Sequence, residues 1–98
     1  MNEQLLANIP AFGSQPAMVV DCPLALQPVV DAGIRSASDW YNDPHPRPLW
    51  RQLAYARAMY EPDGPRQAFE SGFLNHLQQR LRHLQQEQPC SCCLEQGS

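Results

Sequence analysis

The chain has 98 residues, enough for one small domain. Charged residues make up 17%, below the usual quarter or so, and ten Pro and eleven Gln fill the difference, which excludes both a collagen-like repeat and a highly charged disordered chain. The formal charge of -3 is too small to steer a partner strongly, but it is uneven: residues 44–86 hold six of the seven Arg, between acidic flanks.

In chain order, residues 1–35 read as a Pro-rich N-terminal arm containing short helices. Pro10, Pro16, Pro23 and Pro28 leave no room for a long element. Ala17 to Val20 suits a short extended segment, Asp21 with Pro23 suits one helical turn that Pro28 interrupts, and Gly33 has the position of a helix stop. Beyond Ile34 there is no Val, Ile or Thr, so residues 36–88 are written for helix. Ser36-Ala37-Ser38-Asp39 has capping-box spacing and predicts a brief helix through Trp40 and Tyr41, which Pro44 ends. Pro44-His45-Pro46-Arg47-Pro48 then favours an extended polyproline turn.

A helical hairpin follows, over about 48–60 and 65–88, with the turn at Glu61-Pro62-Asp63-Gly64-Pro65. At 100° per residue, Leu49, Trp50, Leu53, Ala56 and Tyr60 share an arc of about 120° on the first helix. On the second, Phe69, Phe73, Leu74, Leu77, Leu81 and Leu84 share about 140°. Leu49, Trp50, Leu53, Tyr60, Phe69, Phe73, Leu77, Leu81 and Leu84 are therefore the expected core. The fold class is mostly α: this hairpin packed with the arm. Two such helices enclose little on their own, so pairing two hairpins into a dimeric helical bundle through Leu74 and Leu81 is also expected.

Candidate chemistry is sparse. There is no phosphate loop, nucleophile elbow or H-E-x-x-H helix, so an enzyme is not expected, and no cofactor is implied. Cys90, Cys92 and Cys93 crowd into a tail at 89–98 whose spacing is a weak metal candidate; free thiols on a flexible tail fit it better. His76 and His83 lie two turns, about 10.5 Å, apart on one helical strip with Arg80 and Glu87, too far to share one metal. That strip is either a solvated rim or a surface for an acidic partner. Tyr55 and Met59 fall off the buried stripe of their helix and are of the types enriched at interfaces.

By elimination the chain reads as a small helical regulatory protein that binds another protein, such as an antiactivator or inhibitor of a bacterial regulator. Tyr55, Met59, His76, Arg80 and His83 are its partner-binding candidates. A nucleic-acid-binding regulator and a thiol-based metal binder are the alternatives; the pI of 5.4 and the acidic turn disfavour the first. No apolar run approaches the roughly 18 residues of a membrane span, and Met1-Asn2-Glu3-Gln4 lacks the pattern of a secretory signal. A cytoplasmic homodimer with no membrane contact is the expectation.

Overall fold

The computed structural model describes residues 5–87. Two strands, β1 (Leu6–Ile9) and β2 (Met18–Pro23), lead through a 3-10 turn at Leu24–Leu26 into three helices, α1 (Gln27–Asn42), α2 (Leu49–Arg57) and α3 (Pro65–Glu87). The tail at 89–98, with Cys90, Cys92 and Cys93, lies outside the described residues.

Residues 6–23 therefore form a β-hairpin where an arm with short helices was expected. β1 and β2 run antiparallel, with Leu6 opposite Pro23, Asn8 opposite Val19 and Ile9 opposite Met18. Phe12 and Gln15 exchange both backbone hydrogen bonds, at 3.0 and 2.8 Å, around Gly13 and Ser14. Gly13 takes a φ of 55°, which glycine adopts without a Cβ penalty. The prolines are compatible with this because Pro10 and Pro16 fall between the strands and Pro23 at the end of one. Alternation then turns Ala7, Ile9, Val20 and Cys22 inward, where they pack with Val30 and Ala68. The side-chain amide of Gln27 bonds both backbone groups of Asn8, at 2.9 and 2.8 Å, and so ties the start of α1 to β1.

Helix α1 corrects three further expectations. Pro28 does not interrupt it but occupies its first turn, where no intrahelical N–H bond is needed. Ser36 and Ser38 do not cap a new helix; both lie inside α1, accepting hydrogen bonds from Gln52 of α2 and Arg80 of α3. The division drawn between residues 35 and 36 thus falls within one helix. Gly33 is no stop either. It is buried in mid-helix, where a Cβ would overlap the Phe69 carbonyl of α3, while a Cβ on Gly72 would overlap the Val30 carbonyl of α1. The two helices meet backbone to backbone, and α1 with α3 forms the principal pair.

Helix α2 is the shorter partner of the hairpin expected over 48–60 and 65–88. It begins where the Arg51 and Gln52 amides return to the Pro48 carbonyl, and it tightens into a turn after Arg57. Arg66 then donates to the carbonyls of Arg57 and Tyr60, at 3.1 and 3.0 Å, satisfying groups that the helix end leaves open. Arg57 also pairs with Glu70. Leu49, Leu53, Ala56 and Tyr60 pack half-buried against Ala37, Phe69, Phe73 and Leu77. Tyr60 stacks on Phe69 with ring centroids 5.2 Å apart.

On α3 the buried residues are Ala68, Phe69, Gly72, Phe73, His76, Leu77 and Gln79. Their arc is turned by about 80° from the one drawn through the leucines. Trp50, Leu81 and Leu84, expected in the core, are exposed. The rotation follows from the glycine contact, which brings the Gly72 and Ala68 side of α3 onto α1.

Replacing Gly33 by Ala should lower the unfolding free energy by about 1–3 kcal/mol in urea denaturation, even though Ala outranks Gly in helix propensity by about 1 kcal/mol. A variant as stable as the parent would mean that α1 and α3 do not depend on backbone contact.

Candidate partner-binding surface

The histidine and arginine strip of α3 serves the chain itself. Phe12, at the hairpin turn, sets its ring edge-on to His76 and His83, with centroids 5.2 and 5.6 Å away. The Arg80 guanidinium lies between two aromatic faces, 4.5 Å from the centroid of Phe12 and 5.0 Å from that of Tyr41. It also donates to His76 Nε2 at 3.1 Å and to the Ser38 hydroxyl at 2.9 Å. Gln79 donates to the carbonyls of Pro10 and Pro16, bracketing the turn. His83 Nδ1 accepts from the Ser14 amide at 3.1 Å. Helical spacing puts His76, Arg80 and His83 on one strip, and the structure lays the β-hairpin turn over that strip instead of leaving it as a solvated rim.

Because Arg80 donates to Nε2 of His76, that nitrogen carries no proton, and Nδ1–H can donate to Gln79 Oε1 at 3.3 Å. Burial pushes the His76 pKa below its usual value and the nearby Arg80 charge adds to the effect, while the Gln79 bond opposes it. The neutral ring is the folded form. The unfolded chain takes up a proton near pH 6.5, so the folded state loses stability as pH falls below about 6.5 and is insensitive to this group above it. In thermal melts from pH 7.5 to 5, a His76→Gln variant should show a flatter decline than the parent. Parallel curves would exclude His76 as the source.

Among the described residues, two of the outward apolar surfaces lie on helices. The first is the outer side of α2, where Tyr55 is 69% and Trp50 67% exposed, with Met59, 75% exposed, in the turn just after the helix. The segment before α2 is held against the fold because the Trp40 indole donates to the Arg47 carbonyl at 2.7 Å and Asp43 accepts from the His45 amide at 2.9 Å. This sets Arg47 over the Tyr55 ring at 5.9 Å, and Arg51 lies over Trp50 at 5.5 Å. Arg47, Trp50, Arg51, Ala54, Tyr55 and Ala58 line a shallow groove of about 480 Å³. Trp50, Arg47 and Arg51 thus join the partner-binding candidate Tyr55 at this groove. Trp50 sits at the edge of its helical arc, which periodicity alone assigned to the core.

The second surface is the leucine side of α3. Leu74 and Leu81 are each 48% exposed, and Leu84 lies beside them. Among the described residues no helix is long and apolar enough to cross a membrane, and no three His, Cys, Asp or Glu gather as metal ligands.

A family model described as the LasR-specific antiactivator QslA matches residues 11–81, from the hairpin turn through most of α3. Among solved structures, a chain of the crystal structure of the LasR LBD-QslA complex from Pseudomonas aeruginosa is 34% identical and superposes with a TM-score of 0.74. The match covers 84% of this chain and 87% of that one. No curated protein matches the chain.

Proposed function

Because the chain belongs to the LasR-specific antiactivator QslA family, a family of protein-binding antiactivators of a bacterial regulator, we propose that it binds the ligand-binding domain of a LasR-type regulator through the outward face of α2. The observation that carries this reading is the exposed groove in which Trp50 and Tyr55 flank Ala54 and Ala58, with Met59 exposed in the turn just beyond the helix. Large aromatic and Met side chains beside Arg are the composition of interface anchors. Antiactivation of this kind requires no catalytic group: occupying a surface of the regulator withdraws it from its active form in proportion to the complex formed. The action is stoichiometric, and the protein acts in the cytoplasm, where such a regulator works.

Replacing Tyr55 and Met59 together by Ala should weaken binding to the LasR ligand-binding domain by about 10- to 100-fold in calorimetry. Melting should be unchanged, because neither side chain is buried. Undiminished affinity would remove α2 from the interface.

The leucines of α3 support a second association, of the chain with itself. An exposed row of Leu74, Leu81 and Leu84 at helical spacing fits a homodimer seam in which two copies lay α3 against α3. Light scattering should give twice the chain mass of 11.1 kDa, and Leu74→Glu with Leu81→Glu should return the mass to one chain. A wild-type mass of one chain at tens of micromolar would rule the seam out.

A further inference from the structure

We infer that the α2 groove is shaped for an amphipathic helix bearing carboxylates, presented by the regulator's ligand-binding domain; the inference rests on the α2 interface proposed above. Ala54 and Ala58 are one helical turn apart and form the floor of the groove, with Trp50 and Tyr55 as its two walls. Small residues at that spacing let a second helix approach closely, with an apolar side chain lodged between the two rings. The charge of the groove selects the partner. Arg47 and Arg51 both line it, it contains no acidic side chain, and among the described residues neither arginine joins an ion pair. Each guanidinium is already oriented by a ring face, Arg47 by Tyr55 and Arg51 by Trp50. Carboxylates on the incoming helix would gain charge-assisted hydrogen bonds from cations whose positions are largely set beforehand.

The test compares the full chain with three variants for affinity to the LasR ligand-binding domain, at about 0.05 and 0.5 M salt, where screening lengths differ severalfold. Arg47→Ala with Arg51→Ala should weaken binding about tenfold at low salt and abolish most of the salt dependence. Ala54→Gln should weaken it by a similar factor at both salt concentrations, because it raises the floor. Trp50→Ala with Tyr55→Ala tests the α2 interface as such. If the aromatic pair matters while the arginine pair does not, and wild-type affinity is indifferent to salt, the acidic helix is overturned and the α2 interface stands. If no variant changes affinity, both fail. A loss of self-association in the arginine or Ala54 variants, with regulator binding intact, would assign the groove to a second copy of this chain and also overturn the proposal.

Discussion

The close backbone approach of α1 and α3, with Gly33 against Phe69 and Gly72 against Val30, is the constraint on which the remaining architecture depends. Two helices in close approach bury the small-residue sides of both, so Ala68 and Gly72 of α3 go inside and the leucines at 74, 81 and 84 are turned away. The same orientation puts His76 and Gln79 on the buried side, where their polar atoms must find partners. Gln79 finds them in the β-hairpin turn, at the Pro10 and Pro16 carbonyls, and His76 finds them in Gln79 and Arg80 of its own helix, with the Phe12 ring packed edge-on against it. The hairpin is thus needed by the helix pair as much as the helix pair is needed by the hairpin, since a two-stranded sheet is marginal alone.

Much of the second half was legible in the sequence. The prolines at 48 and 65 mark the starts of α2 and α3, and the inward placing of Phe69, Phe73 and Leu77 follows from periodicity. What was not legible depended on distant neighbours. A glycine in mid-helix reads as a stop unless the backbone that faces it is known, and Gly33 and Phe69 are 36 positions apart. The Ser36-Ala37-Ser38-Asp39 pattern matches a helix start, yet its hydroxyls are used by Gln52 and Arg80, which no local rule could reveal. The hairpin had a local signal, Gly13-Ser14 between alternating segments, but the density of prolines obscured it. The exposure of Tyr55 and Met59 was legible because they fall off the packed stripe, whereas that of Trp50 was not, because hydrophobicity and angle both pointed inward.

The two outward helical faces differ in chemistry. The α3 leucines are aliphatic and carry no charge of their own, suited to a like surface. The α2 groove combines aromatic rings with guanidinium groups, which favours a partner of opposite character. Both surfaces are outward on helices that also serve the core, so neither requires an appended element in a chain this small.

Helix α2 contains no fully buried residue: its inner side chains are half-covered and its outer ones face solvent. The principal core lies between the other helices and the sheet. Substitutions at the outer positions of α2 therefore carry little penalty in folding, and this face can be rewritten while the scaffold persists. With α2 as the proposed contact, a change of partner surface would leave the core between α1, α3 and the sheet untouched, because exposed and core positions lie in different parts of the same short chain.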